Sequence, residues 1–427
     1  MKKKIIYFCI LLGMLTMISG CKKKENDDVV TLKFMHRWTM EPMKSATETM
    51  IKRFEEENPD IKIEVLTATN SSYKQKIKTV INSEDAPDVF CTWGDEYLNK
   101  FVREGLVLDL TDFLKESGTM NSLVESQMTA FQYEERYYGI PLKVDAKLWF
   151  YNKDIYKKLG LQPPETYSEF IEQLKTIQSA GITPIYDGNS NPYAGAHYLT
   201  TLNQKCVPED ILKSDYSLQS GEFTDPGYLQ ALQIYSDLYM NKDVAAYDWS
   251  FAYSGLINGD CALVYDQYVT VADSMEMDEQ FTKEHLGVFP FPYIEGARGN
   301  QTIITGTPDG YAVSSRTKHP KEVYRFLEYM LSEENCKNYL ESSYWVNARK
   351  DMCDNIQNYT DIQPLIDGMK YIRESTSTTP WIDTELDPKI AQTYVNGIQQ
   401  IDTGEVTPEQ LIGQIQQAAK SAKEERK

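Results

Sequence analysis

The sequence predicts an α/β protein with two domains, on three observations. Stretches with apolar residues at every second position alternate along the chain with stretches spaced at 3.6 residues, the rhythm of strands interleaved with helices. The 427 residues exceed what one hydrophobic core organises, about 250–300, so two cores are expected. The hydrophobic content of 41% and aromatic content of 12% are those of a chain that packs a core.

Thr31–Met35 alternates as a strand. Met43 to Glu57 has helical spacing, with Met43, Ala46, Met50, Ile51 and Phe54 on one face, and Asn58-Pro59-Asp60 stops it. Ile61–Val65 alternates again. Tyr73 to Ile81 reads as a helix and Pro87–Cys91 as a short buried strand. This strand-helix-strand order implies parallel pairing, because parallel neighbours need a crossover. Gly139-Ile140-Pro141 leads into the apolar strand Leu148–Tyr151, followed by a short helix from Asn152 to Leu159 that Gly160 closes. Thr166 with Glu169 three residues later is a capping box, opening a helix that runs to about Ala180 and ends at Gly181. Pro226–Met240 and Ala252–Asn258 are helices, the second ended by Gly259. Ala262–Tyr265 is a buried strand and Leu286–Pro292 is extended. Gly310–Ser314 is a strand, His319-Pro320 opens a helix to Leu331, and Asp387–Ile401 and Pro408–Lys423 are amphipathic helices.

The N-terminus carries a different signal. Lys2, Lys3 and Lys4 precede an apolar run from Ile5 to Ile18, then Ser19, Gly20 and Cys21. The run has about 14 residues, short of the ~20 a spanning helix needs. Residues 1–20 therefore read as a signal peptide. Ile18-Ser19-Gly20-Cys21 resembles the lipobox of bacterial lipoproteins, in which the cysteine thiol takes a diacylglycerol and becomes the new N-terminus. That resemblance implies lipidation at Cys21, a polar tether over residues 21–30, and a position on the extracellular face of the cytoplasmic membrane. The net charge is −19, so nucleic acid and anionic lipid repel the chain, and no basic stripe offsets this. Cys91, Cys206, Cys261, Cys336 and Cys353 are odd in number and widely spaced, which argues for small buried thiols over a disulfide framework or a zinc site.

Six pieces in order carry a wider resemblance. They are "RFEEENPDIKIEV", "APDVFCTWGDEYLNKFVREGLVLDLTDFL", "YGIPLKVDAKLWFYNKDIYKKLGLQPPETYSEF" with Tyr151-Asn152-Lys153-Asp154 at its heart, "INGDCALVYDQ", "VFPFP" and "GYAVSSRTKHPKEVYRFLEYMLSEE". Together they resemble the extracellular solute-binding proteins of ABC importers, sugar-binding group 1, over nearly the whole chain after the signal. The first strand departs from the commoner Phe-Trp-His, reading Phe34-Met35-His36-Arg37-Trp38. The resemblance implies a two-lobe periplasmic-binding-protein-like fold of type II, with the ligand cleft between lobes that close by hinge motion. It places lobe 1 at 31–144 and 303–347 and lobe 2 at 145–302 and 348–427, with crossings near Lys143–Leu148, Thr302–Thr307 and Trp345–Lys350. It also implies a monomer that takes a carbohydrate ligand, hands it to ABC permease subunits and uses no cofactor.

A sugar needs rings for its C–H faces and fixed hydrogen-bond partners for its hydroxyls. Six tryptophans and 29 tyrosines supply rings in excess, and most belong to the core or surface. Trp93 and Asp95 follow the Pro87–Cys91 strand, and the resemblance puts Asp95 at a sugar-binding aspartate of maltose-binding relatives. Asp145 matches an acidic contact of those relatives, and Lys143 beside it is either a contact or half of a hinge salt bridge. Asn191 and Tyr193 lie in "DGNSNPYAGAHY", read as a loop. Asp266 and Tyr268 follow a strand at its C-terminal end, where α/β ligands bind. Trp381 stands in a polar segment, either packed down or presenting a stacking face. Trp38, Trp345 and Asp309 are weaker candidates.

No enzyme signature competes. The chain has no Gly-x-Ser-x-Gly, no P-loop and no metal-ligand spacing among its four histidines, and no one pair stands out among 63 acidic residues. The expected function is capture of a sugar, an oligosaccharide before a monosaccharide, without turnover. A binder of a non-sugar solute and a surface glycan hydrolase remain the alternatives.

Overall fold

The computed structural model describes residues 29–190, 193–217, 221–240, 244–306, 308–375 and 378–425. The signal peptide, Cys21, most of the tether, Asn191 and Thr307 lie outside the described residues. No helix among the described residues is long and apolar enough to cross a membrane.

Two five-stranded sheets organise the chain. In chain order the strands are β1 (Val30–His36), β2 (Ile61–Thr67), β3 (Val89–Trp93), β4 (Gly139–Pro141), β5 (Lys147–Asn152), β6 (Thr183–Asp187), β7 (Val244–Ala246), β8 (Cys261–Gln267), β9 (Leu286–Phe289) and β10 (Asp309–Val313). The first sheet runs β2-β1-β3-β10-β4 and the second β9-β5-β8-β6-β7. β1 is parallel to both β2 and β3, with Phe34 opposite Val65 on one side and Val89 on the other, as the strand-helix-strand rhythm predicts. The late strand β10 inserts antiparallel between β3 and β4. In the second sheet β6, β7 and β8 are parallel and β5 lies antiparallel to β8 and β9.

Each sheet has its own apolar core. Phe34, Phe54, Tyr311 and Phe326 pack in the first, and Trp149, Phe170, Tyr198, Tyr265 and Phe291 in the second. A third cluster, with Val144, Leu148, Cys336 and Val346, sits where the chain passes between the sheets. There the Val144 N–H donates to the Val346 carbonyl at 3.0 Å and the Asn347 side chain to the Leu142 carbonyl at 2.7 Å. The five internal cysteines are free and buried.

Local chemistry accounts for the helix ends. Asn152 accepts from the N–H groups of Asp154 and Ile155, and Gly160 ends that helix at φ 69°. The capping box at Thr166 and Glu169 is present from both sides. Three boundaries differ from expectation. The helix expected from Tyr73 begins earlier, as Asn70–Val80. The one expected from Ala252 is Trp249–Asn258, because Asp248 caps it by accepting from the Phe251 N–H at 2.9 Å. The stretch read as a loop around Tyr193 is largely the start of the helix Tyr193–Cys206, buried along almost its whole length.

Candidate functional site

Residues 143–147 lead from β4 into β5, and their side chains alternate between two surroundings. Val144 and Ala146 are fully buried in the third cluster. Lys143, Asp145 and Lys147 are buried too, but among charges: Lys143 with Asp145 and Asp309, and Lys147 toward Asp266. The Lys143 ammonium is 3.0 Å from Asp145 and 3.0 Å from Asp309, and the Arg37 guanidinium donates to Asp309 at 2.7 Å. Arg37, Asp309, Lys143 and Asp145 thus form one chain of alternating charge with little solvent access. Burial opposes each charge, and the neighbours decide the outcome. The two aspartates outweigh burial at Lys143 and raise its pKa. Arg37 and Lys143 outweigh burial at Asp309 and hold it low. At Asp145 burial prevails over Lys143 and the pKa is raised. Such a chain is costly to break, because any deletion strands a buried charge.

The aromatic rings on this side are already engaged. Arg37 lies 4.1 Å from the Trp38 ring centre and 5.0 Å from that of Trp93, and Lys74 lies 4.9 Å from Trp93. Lys143 sits over Trp345 at 4.8 Å, and Trp345 meets Trp38 edge-on at 5.0 Å. These are cation–π contacts within the protein.

The facing wall comes from the second sheet. Asp266, at the end of β8, is buried, and Lys147 approaches it only to 3.9 Å. Burial, partly offset by Lys147, pushes the Asp266 carboxyl up to about 7. The half-buried Trp249 donates its ring N–H to the Tyr193 hydroxyl at 3.0 Å. Its ring lies so close to Gly188 that a Cβ there would come within 2.2 Å of it. Tyr193, Trp249, Tyr253, His197 and Asp266 line a cavity of about 440 Å³, which Glu41 of the first lobe also borders. Among the described residues no lysine or arginine lines it; Lys147 lies beside Asp266 and Trp249. His197 stacks on Trp381 at 4.0 Å and lies 3.3 Å from Asp383. Burial lowers the His197 pKa, and Asp383 works in the opposite direction. At Asp383 burial opposes the charge, but the His197 hydrogen bond and Lys74 outweigh it and hold the carboxyl at about 2.

The expected residues therefore divide. Asp266 and Tyr193 line the cavity, and Lys143 and Asp145 are buried as a pair beside Asp309. Trp38 and Trp93 carry protein cations over their rings; Trp93 is the last residue of β3, not a residue after it. Asp95 begins the helix Glu96–Arg103 at φ 55°. Trp381 packs down, 3% exposed, as the support of His197. Tyr268 does not reach the cleft. Its hydroxyl donates to the Leu365 carbonyl at 2.7 Å and its ring lies against Gly368, because the chain turns inward after Gln267. Arg37, Lys147, His197, Trp249, Tyr253 and Asp383 went unnoticed in the sequence. The alternation Lys143-Val144-Asp145-Ala146-Lys147 could have signalled Lys147, and the N-cap at Asp248 could have placed Trp249 at a helix start.

Comparison with known proteins agrees with this architecture. Residues 38–336 match the family described as bacterial extracellular solute-binding protein. The chain is 24% identical over 345 residues to the multiple sugar-binding protein of Streptococcus mutans, covering 76% of this chain and 77% of that one. It is 23% identical to lipoprotein LipO of Bacillus subtilis, covering 74% and 68%. A structure from work on xylan utilization by the thermophilic bacterium Caldanaerobius polysaccharolyticus superposes with a TM-score of 0.80 at 25% identity, covering 91% of this chain and 99% of that one. A chitin oligosaccharide binding protein gives a TM-score of 0.81 at 21% identity, covering 93% and 100%.

Proposed function

The chain belongs to the bacterial extracellular solute-binding proteins, and from that premise we propose that it captures a sugar, an oligosaccharide before a monosaccharide, and delivers it to an ABC import permease by closing two lobes. The carrying observation is the cavity wall on which the half-buried Trp249 ring, the Tyr193 hydroxyl and the Asp266 carboxylate face the same space. A ring covers the apolar face of a pyranose, and a buried carboxylate accepts from its hydroxyls more strongly than a neutral group does. A cavity whose described lining carries Glu41, Asp266, Asp273 and Glu276 and no lysine or arginine disfavours a phosphate or carboxylate ligand. Relatives that bind multiple sugars and chitin oligosaccharide support the same reading. We place the lobe boundaries at 144/145, 302/303 and 347/348, and the lipid anchor at Cys21, where the tether keeps the protein beside its permease. Capture proceeds without turnover.

A thermal-shift screen of mono- and oligosaccharides tests this. One oligosaccharide class should raise the melting temperature, because a ligand that binds only the folded form stabilises it by mass action. A shift with phosphates or amino acids and none with any sugar would refute the reading. Release of new reducing ends from a bound glycan would replace capture with hydrolysis.

A further inference from the structure

Two contacts cross the cleft from one short helix, Ile382–Glu385. That helix belongs to the second core, where Ile382 and Leu386 are buried, and the Ile382 N–H donates to Thr200 at 3.1 Å. From it Asp383 reaches to 3.6 Å from the Lys74 ammonium, and the Glu385 carboxylate accepts from the Glu96 N–H at 2.9 Å. Lys74 and Glu96 sit on helices whose Tyr73, Ile77, Leu98 and Phe101 are buried in the first core.

The second contact matters because of what the receiving helix lacks. The first N–H groups of a helix have no partner within it. Glu96–Arg103 starts at Asp95, which makes no side-chain cap. The Asp95 N–H is spent on the Ala130 carbonyl at 2.5 Å, and a Cβ at Gly94 would lie 2.5 Å from that same oxygen. The turn is held in a shape that leaves the helix end to an outside acceptor, and Glu385 is that acceptor.

We propose that Trp381–Glu385 is a clasp that holds the cleft shut, with Glu385 capping the first-lobe helix from the other lobe and Asp383 pairing with Lys74. The proposal rests on the capture reading only in requiring that the lobes open and close. The clasp is also tied to the ligand wall, since His197 touches both Trp381 and Asp383 and packs 5.5 Å from Tyr193. Asp383 and Glu385 are thus positioning residues, acting on a ligand through closure.

The charges around Glu385 add a proton to this motion. Asp95, Glu96 and Lys100 face it from the capped helix, Tyr216 from its own lobe, and Asp383 lies on its own segment; Arg103 is taken by Glu96 at 2.5 Å. Burial first, then Asp95, push the Glu385 carboxyl up to about 8 in the closed arrangement. An exposed glutamate titrates near ~4.3. Closing therefore takes up a proton. Closure strengthens as pH falls from about 8 toward the ordinary carboxylate range, and is independent of this proton above about 8.

Small-angle scattering of the ligand-free protein at pH 6 and pH 9 tests the clasp. The wild type should be compact at pH 6 and wider at pH 9. Glu385→Gln keeps an acceptor but cannot ionise, so its dimensions should be the same at both. Glu385→Ala should lower the closed-to-open ratio roughly fivefold, the usual effect of losing an N-cap. Lys74→Ala, on the opposite lobe, should open the protein partly and leave its pH response intact. Identical dimensions for wild type and Glu385→Ala at both pH values would overturn the proposal. Scattering needs no ligand, so failure to bind any sugar would count against the capture reading and leave the clasp standing.

Discussion

The two walls of the cleft are built on opposite plans. On one side, Arg37, Asp309 and Lys143 of the first lobe and Asp145 just past the crossing pair with one another at 2.7–3.0 Å, and Trp38, Trp93 and Trp345 carry protein cations over their rings. On the second-lobe side, Asp266 has its cation only at 3.9 Å, and Trp249 and Tyr193 stay partly open to a cavity. A wall whose charges are already paired at close range gains little from a ligand. A wall with loosely paired groups has hydrogen bonds left to give. Acidic and aromatic residues occur on both sides, so residue type alone does not locate a binding surface; the state of pairing does.

The sharpest way to break this comparison is Asp309→Ala. It leaves Arg37 and Lys143 facing each other in a buried site, and removing one partner of such a set costs about 3–5 kcal/mol. Urea unfolding should show that loss, and a loss below about 1 kcal/mol would mean the first wall is no lock. Trp249→Ala should do the reverse, weakening ligand binding by about 2 kcal/mol, as a central tryptophan does, while the unfolding midpoint moves little. Calorimetry against the sugar found by thermal shift checks it. Gly188→Ala sharpens the point without touching a ligand contact. A Cβ 2.2 Å from the Trp249 ring must displace it, so affinity should fall by about 1 kcal/mol, less than the ring's own removal.

The smallest effect is a pH slope. Asp266 titrates near 7 in the folded protein, above its ordinary 3.8, so the folded state holds an extra proton between those values. Its contribution to stability should fall as pH rises from about 4 to about 7 and stay flat above. Asp266→Asn should remove that slope from urea midpoints compared at pH 4.5 and 7.5. An unchanged slope would show that Lys147 pairs with Asp266 as tightly as the first wall pairs its own charges.

Much of the fold was legible because local rules sufficed. Asn152, Thr166 with Glu169, and Gly160 mark helix ends through hydrogen bonds and backbone angles within a few residues. Period-two alternation marked β1 and β2 as strands, and the helix between them implied their parallel pairing. The Tyr193–Cys206 helix was hidden because it is buried on nearly every side and has no polar face to give it a period. The site was less legible than the fold. Asp145 and Asp266 stood out as charges beside apolar strands; Asp266 lines the cavity and Asp145 is buried against Lys143. Tyr268, two residues beyond Asp266, goes to the core instead. Trp381 had two readings in the sequence, and the structure packs it beneath His197.

By itself the sequence determined the α/β class, the run of strands and helices, the solute-binding family resemblance and the acidic, aromatic character of the molecule. These depend on periodicity, capping and composition, which act within a turn or a strand. Only the tertiary structure decided which charges are paired and which are left for a ligand. Asp309 lies 272 residues from Arg37, and Glu385 lies 289 from the helix it caps. Coulomb and hydrogen-bond energies at 3 Å depend on separation in space, and a linear sequence does not contain that distance until the two sheets have packed.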